Sequence, residues 1–262
     1  MDWLQQEIDG RGVATLSLNR PDKHNAFDDQ LITALNDALD ALAANPAVRL
    51  LVLRAEGKHF SAGADLAWMK RQVDASFEQN LAESEALAGL MDRLDRFPHP
   101  SLVRVQGAAF GGALGLIACG DIAVAADNAL FCLSEVKLGL IPAVISPYVL
   151  RAMGPRVARR YMLTAERFNA EVALRHDLVH EVVPMDELDG AVEGHVQQLL
   201  MNGPQALKAC KQLIQDVQGQ AIDAPLRRRT AEAIAKIRVT DEGQEGLGAF
   251  FDKRRPAWQE QH

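Results

Sequence analysis

Val105-Gln106-Gly107-Ala108-Ala109-Phe110-Gly111-Gly112-Ala113-Leu114-Gly115-Leu116 is the stretch whose reading decides the fold, and it runs on to Gly120-Asp121. The apolar segment Leu102 to Val105 before it reads as a strand. The glycine-rich turn that follows opens into small and apolar residues that predict a short buried helix. Gly111 and Gly112 sit where strand becomes helix. Two glycines there let a ligand approach bare backbone, and a helix N-terminus points unpaired N–H groups outward. Such groups stabilise an anion or a developing oxyanion. Taken alone, the stretch reads equally as a helix packed closely on a sheet. G-x-G-x-x-G is absent, so it is not a dinucleotide fingerprint, and no Gly-Lys-Ser/Thr follows to make a P-loop. Asp121 ends the apolar run well before the ~18 residues of a membrane span.

The 262 residues make one large domain or a domain with an appendage, and a hydrophobic content of 48% supports a sizeable core. Cys119, Cys132 and Cys210 are odd in number and widely spaced, which predicts reduced thiols, no metal site and a cytoplasmic setting. Met1-Asp2-Trp3 shows no basic region followed by an apolar run, so no secretory signal is expected. A net charge of −7 argues against a nucleic-acid partner. The basic clusters Arg227-Arg228-Arg229 and Lys253-Arg254-Arg255 read as solvated helix faces, or as the place of a local anionic ligand.

In chain order, Val13 to Asn19 alternates as a strand, and Arg20-Pro21-Asp22-Lys23-His24-Asn25-Ala26 breaks it. Leu31, Leu35, Leu39 and Leu42 repeat at helical spacing within Asp28 to Ala44. Val48 to Leu53 is an apolar strand. It leads to a second small-residue loop, His59-Phe60-Ser61-Ala62-Gly63-Ala64-Asp65, and a helical pattern from Leu66. Glu78 to Arg96 predicts an amphipathic helix that stops at Phe97-Pro98-His99-Pro100. Ile122 to Ala125 and Ala129 to Leu133 are short strands. Strands alternating with helices argue for βαβ units and a buried sheet, hence an α/β body. After Pro147 the pattern is helix upon helix (Arg156 to Leu163, Met185 to Met201, Pro204 to Val217, Ile222 to Ile237), with Leu178 to Val183 the strand-like exception.

The two small-residue loops each follow an apolar strand and open a helix. As a pair they resemble the signature of the enoyl-CoA hydratase/isomerase (crotonase) family. Four further segments match in the same order. Arg20-Pro21-Asp22-Lys23-His24-Asn25-Ala26 is similar to the family's RPxxxNA element, and Asp121-Ile122-Ala123 to its CDI strand. Leu133-Ser134-Glu135-Val136-Lys137-Leu138-Gly139-Leu140 is similar to its PE-x-x-LG segment, and Phe250-Phe251-Asp252-Lys253-Arg254-Arg255-Pro256 to its F-x-x-KR-x-P tail. The resemblance covers nearly the whole chain. It implies a crotonase-like ββα-superhelix (spiral) core over residues 1–195 and a helical C-terminal trimerisation region over residues 196–262. It also implies an acyl-CoA substrate, a homotrimer or a hexamer of two trimers, no nucleic-acid or membrane partner, and no cofactor, since coenzyme A is part of the substrate.

By the same resemblance, Ala64 and Gly112 match positions whose backbone N–H groups form an oxyanion hole for the thioester carbonyl. Ala26, Ala62, Asp65 and Leu66 match main-chain positions along the adenine and pantetheine path. Lys23 matches a position near the CoA phosphates, and Lys253 a tail lysine that reaches a neighbouring subunit's CoA; ordinary surface charge is the alternative for both. Glu135 matches the second of the two glutamates that many hydratases of the family use, and its place after Phe131-Cys132-Leu133 predicts a partly dry carboxyl with a raised pKa.

The chain departs from the family pattern twice. Gly115 stands where GGG-x-E-L places the first glutamate, and Ile141-Pro142-Ala143-Val144-Ile145-Ser146-Pro147 stands where P-G-x-G-G-T is usual. Glu135 could then carry both proton transfers. Alternatively, Glu83, Glu85 or Asp92 could substitute, or the reaction could be an isomerisation that needs one base. Both departures occur together in bacterial 3-methylglutaconyl-CoA and γ-carboxygeranoyl-CoA hydratases, which this chain resembles most. Those substrates carry a second carboxylate, for which Lys70 and Arg71 are candidate partners, with surface charge as the alternative. A serine hydrolase built on Ser61 or Ser146 lacks G-x-S-x-G. A non-catalytic acyl-CoA-binding role is the remaining alternative.

Overall fold

The computed structural model describes residues 3–259. A six-stranded sheet has the order β1-β2-β3-β4-β6-β9, formed by β1 (Leu4–Ile8), β2 (Val13–Leu18), β3 (Leu50–Ala55), β4 (Ser101–Val105), β6 (Ile122–Ala126) and β9 (Glu181–Val183). β1 pairs antiparallel with β2, and every later pair in this sheet is parallel. A second sheet has the order β5-β7-β8, from β5 (Ala108–Phe110), β7 (Leu130–Cys132) and β8 (Phe168–Asn169).

Both faces of the large sheet are covered, and the two-residue period of the strands sorts their side chains between them. Leu51, Leu53, Val103, Val105, Ala123 and Ala125 belong to the main core. Their neighbours Leu50, Val52, Leu102, Val124 and Ala126 face a second cluster with Leu188, Val192, Val196 and Leu200. Those four come from α8 (Leu188–Leu200), which closes that face. The main core is closed by α1 (Asp29–Ala44), α3 (Phe77–Asp95), α4 (Gly112–Cys119), α5 (Ser146–Met153), α6 (Pro155–Thr164) and α7 (Ala170–Arg175). The short α2 (Leu66–Gln72) buries Trp68.

The expected boundary at residue 195 falls inside α8. Beyond it, α9 (Pro204–Val217) buries no residue, α10 (Ala224–Arg238) buries Leu226 and α11 (Asp241–Asp252) buries Ala249. Apolar side chains stay exposed on and between these helices, among them Ile222, Val239, Phe250 and Phe251. Among the described residues, no helix is long and apolar enough to cross a membrane.

Several elements differ from the sequence expectation. β1 pairs in register with β2 as a hairpin, although its own burial is slight. β5 and β8 are three and two residues long, too short to show a period. α5 starts at Ser146, with Pro147 in its first turn, where proline's missing N–H costs nothing. The strand expected over 178–183 is limited to Glu181–Val183, and residues 178–180 precede it.

Candidate active site

The loop from Ser61 to Asp65 is clamped on two sides. On one side Ser61 N–H donates to the Ala108 carbonyl at 3.0 Å, and Phe110 N–H donates to the Ser61 carbonyl at 3.0 Å. On the other, Phe27 N–H donates to Gly63 at 2.8 Å, and Asp65 N–H donates to Phe27 at 2.7 Å. Phe27 therefore spends both backbone groups on the residues flanking Ala64, in a parallel bridge. That geometry turns Ala64's own N–H away from Phe27, and it has no acceptor among the described residues.

The second half of the site is the turn into α4. Gly111 takes φ 55°, a left-handed conformation that favours glycine, and donates its N–H to Cys132 at 2.9 Å. Gly112 is the first residue of α4, so its N–H has no partner within the helix and none outside it among the described residues. The Phe27 ring lies 3.8 Å from where a Cβ of Gly112 would stand. One residue thus supports both unpaired donors, through its backbone at Ala64 and its ring at Gly112.

Glu135 opens a 3-10 turn (Glu135–Leu138) after β7, and its Oε1 lies 3.3 Å from the Cβ position of Gly111. A side chain at residue 111 would crowd this carboxyl. Glu135 Oε2 is buried without a hydrogen-bond partner. Burial pushes the Glu135 carboxyl above its ordinary value, and a bond to its own backbone N–H offsets this in part. Two N–H donors and a half-dry carboxylate can polarise a carbonyl and move a proton beside it.

Gly115, one turn into α4, is sealed. A Cβ there would overlap Ile145 Cγ2 and lie 2.9 Å from both Ile145 Cβ and Met91 Sδ. Ile145 precedes α5 and Met91 is on α3, and both are buried. No carboxylate could project from this position without displacing them.

The other candidates fall into place around this centre. Asp65 is buried and caps α2, accepting from Ala67 N–H at 2.8 Å and Trp68 N–H at 3.1 Å. Burial works to raise its pKa, but these bonds and Lys23 hold it below the ordinary carboxylate range. Half-exposed Lys23 reaches Asp65 at 3.4 Å. Ala26 is buried, Ala62 is partly buried with its N–H on the His24 carbonyl at 2.9 Å, and Leu66 is exposed at the start of α2. Lys253 is exposed in a left-handed cap after α11.

The substitutes for the missing glutamate are otherwise engaged or exposed. Glu83 Oε2 accepts from Trp68 Nε1 at 3.0 Å and Gln72 Nε2 at 2.8 Å. Asp92 pairs with Arg96 at 2.8 Å, and Glu85 is exposed. Arg71 is drawn to Asp29 at 2.5 Å, and Lys70 is exposed. Fully buried Ser61 accepts from Gly63 N–H, and Ser146 donates to the Ala143 carbonyl; among the described residues neither serine meets a histidine.

Sequence reading missed Phe27, Ile145 and Met91. Their side chains are ordinary core apolar groups, and only the chain path brings them against Ala64, Gly112 and Gly115.

The family model described as enoyl-CoA hydratase/isomerase matches residues 9–261. The crystal structure of an enoyl-CoA hydratase from Shewanella pealeana superimposes with a TM-score of 0.94 at 54% identity, covering 98% of this chain and 96% of that one. The trans-2-decenoyl-[acyl-carrier-protein] isomerase of Streptococcus mutans is 31% identical, over 94% of each chain. The 2,3-dehydroadipyl-CoA hydratase of Escherichia coli is 32% identical, over 93% of this chain and 94% of its own. On this match, which spans nearly the whole chain, the protein belongs to the enoyl-CoA hydratase/isomerase family.

Proposed function

We propose that the protein adds water across the α,β double bond of an enoyl-CoA thioester, using Glu135 as its single catalytic carboxylate. The observation that carries this reading is the pair of unpaired N–H groups, Ala64 and Gly112, beside the half-dry Glu135, with the family's other carboxylate position sealed over Gly115. The thioester oxygen accepts from both N–H groups. Glu135 takes a proton from water as the water oxygen bonds to the β-carbon. The double-bond electrons move to the α-carbon through an enolate whose charge rests on the two donors. Glu135 then returns its proton to the α-carbon and is again a carboxylate. Each backbone donor is worth about 3–4 kcal/mol in such a transition state.

Lys23, Ala26, Ala62, Asp65 and Leu66 line the path of the CoA moiety, and Lys253 serves the CoA of a neighbouring copy. Coenzyme A arrives as part of the substrate and no cofactor is used. The chain assembles as a homotrimer or as two stacked trimers. The apolar groups left exposed in the C-terminal region, Phe250 and Phe251 foremost, support this.

The substrate we favour is 3-methylglutaconyl-CoA or a related branched glutaconyl-CoA, in leucine or terpene catabolism. Ile145 supports an altered acyl pocket, because the segment that departs from the family pattern supplies the side chain that covers Gly115. The similarity to a hydratase named for 2,3-dehydroadipyl-CoA, also a dicarboxylic acyl group, points the same way. Isomerisation is the second reading, favoured by the single carboxylate and by the similarity to a decenoyl isomerase.

Loss of enoyl absorbance with 3-methylglutaconyl-CoA, beside crotonyl-CoA, tests the proposal. Rapid hydration of the first and slow hydration of the second supports it. Preference for crotonyl-CoA removes the substrate assignment, and double-bond migration without uptake of water turns the assignment to isomerase.

A further inference from the structure

The segment that clamps Ala64 is itself held by a buried cation. Arg20 is 4% exposed. Its Nη1 donates to Asp28 Oδ2 at 2.6 Å, and its Nη2 lies 3.6 Å from Asp65 Oδ2. Asp28 caps α1 through Leu31 N–H, and Asp65 caps α2 immediately after Ala64. The ring of Trp3 covers the guanidinium at 4.6 Å. Arg20 N–H also donates to Asn25 Oδ1 at 2.7 Å, and Asn25 Nδ2 donates to the carbonyls of Glu56 and His59 at the start of the same loop.

Arg20 thus joins the two strands of the Phe27–Ala64 bridge at their downstream ends. Asp28 follows Phe27, and Asp65 follows Ala64. Two carboxylates brought this close would repel each other, and both would be poorly solvated. A guanidinium forked between them removes the repulsion and sets their spacing. The spacing of residues 28 and 65 in turn sets where the bridge holds Ala64, and so where its N–H points. Half-exposed Lys23, 3.4 Å from Asp65, adds a second but looser charge.

We infer that Arg20 is a positioning residue for the reaction: by fixing Asp28 against Asp65 it aims the Ala64 N–H at the thioester oxygen. This rests on the oxyanion role proposed for Ala64. Misplacement of a catalytic group by about 1 Å costs on the order of a hundredfold in rate. The loss falls on the transition state, because a saturated acyl-CoA places little charge on the oxygen.

The test uses Arg20→Gln, Arg20→Lys and Asp28→Asn in the full-length protein. Asp28→Asn keeps an acceptor for Leu31 N–H while removing the charge that Arg20 holds. Three quantities are read: kcat per folded protein, the affinity for butyryl-CoA, and the affinity for acetoacetyl-CoA bound as its absorbing enolate. In Arg20→Gln and Asp28→Asn, kcat and enolate affinity are expected to fall together, by about ten- to a hundredfold. Butyryl-CoA affinity stays within about twofold. Arg20→Lys, a point charge without the fork, recovers part of the loss.

Where Arg20→Gln fails to fold, Arg20→Lys and Asp28→Asn decide. Unchanged kcat and enolate affinity in the folded variants overturn the inference, as does a loss of both ligands in equal proportion, which marks a purely structural role. Gly112→Pro separates the two levels. If it too leaves kcat intact, the oxyanion reading itself has failed. If it abolishes turnover while the Arg20 and Asp28 variants do not, only the inference about Arg20 falls.

Discussion

Ile145 occupies the space directly above Gly115, so that a Cβ built on the glycine would overlap Ile145 Cγ2. This contact brings together in space the two places where the sequence departs from the family pattern it resembles. The segment after Leu140 contributes the side chain that fills the space beside Gly115 on α4. Met91 completes the seal from α3. The pair leaves Glu135 as the acid and base of the proposed mechanism.

Gly115→Ala is expected to destabilise the protein. Alanine in a helix interior gains roughly 0.5–1 kcal/mol over glycine. Overpacking of a filled core costs about 1–3 kcal/mol. The second effect wins here because both obstructing side chains are buried, and thermal unfolding should show a lower Tm. Ile145→Ala in the same chain should relieve most of the loss. A Gly115→Ala protein at least as stable as the parent would show that Ile145 yields easily, and the sealed-site argument would fail with it.

Gly112→Pro and Gly112→Ala should differ sharply. Residue 112 opens α4, where proline is well tolerated, and its Cβ position is clear apart from Phe27 at 3.8 Å. Alanine keeps the N–H and should keep most of the activity. Proline removes the donor and sets its Cδ where the hydrogen stood, and kcat should fall at least about 10²–10³-fold. Circular dichroism and Tm check that the helix survives. Equal activity in the two variants would remove Gly112 from the oxyanion hole.

His99 should make the protein acid-sensitive. It is buried with Nδ1 unpaired, and burial, reinforced by Lys208 and Lys211, lowers its pKa from 6.5 to about 4. The unfolded chain binds a proton near pH 6.5 that the folded chain refuses until about pH 4. Stability is therefore present above pH 6.5 and is lost as pH falls through that window. The loss from this group reaches about 2 kcal/mol at pH 5. Urea unfolding at pH 7 and pH 5 should show a drop that His99→Leu reduces by about that amount. An unchanged drop would exclude His99 as its source.

Much of this architecture was legible from local pattern. The leucine spacing of α1, the run Pro204–Val217 and the two glycine-bearing loops all carry their structure in neighbouring residues. So does the buried setting of Glu135, which follows three core residues. What stayed hidden was contact between distant segments. Phe27 reads as one more apolar residue after a break, yet it flanks Ala64 through its backbone, and its ring lies 3.8 Å from where a Cβ of Gly112 would stand. Arg71 reads as surface charge or as a candidate partner for an acyl carboxylate, and the sequence does not show that α1 brings Asp29 against it. β5 and β8 are strands because β7 lies between them, not because three or two residues prefer to be extended.

Glu135→Gln should abolish turnover and stabilise the fold. General acid–base catalysis contributes about 10²–10⁴ to rate, so kcat should fall by at least that range while acyl-CoA affinity is kept. The stability effect has the opposite sign because burial raises the carboxyl's folded pKa above its ordinary 4.5. Between the unfolded and folded values the native protein holds a proton that the unfolded chain has released. Stability from this group is therefore full below pH 4.5 and declines as pH rises through the folded value. At neutral pH the ionised, half-dry Glu135 is a cost, and neutral glutamine removes it. The variant should unfold at a higher Tm than the parent at pH 7.5, with the two curves converging at acid pH. Kinetics supply the complementary sign: the base must be ionised, so kcat/KM should fall on the acid side at a pH above the usual carboxylate range. A less stable Glu135→Gln protein, or an acid limb at an ordinary carboxylate pH, would mean that the site is wetter than its geometry implies and that another group carries the proton.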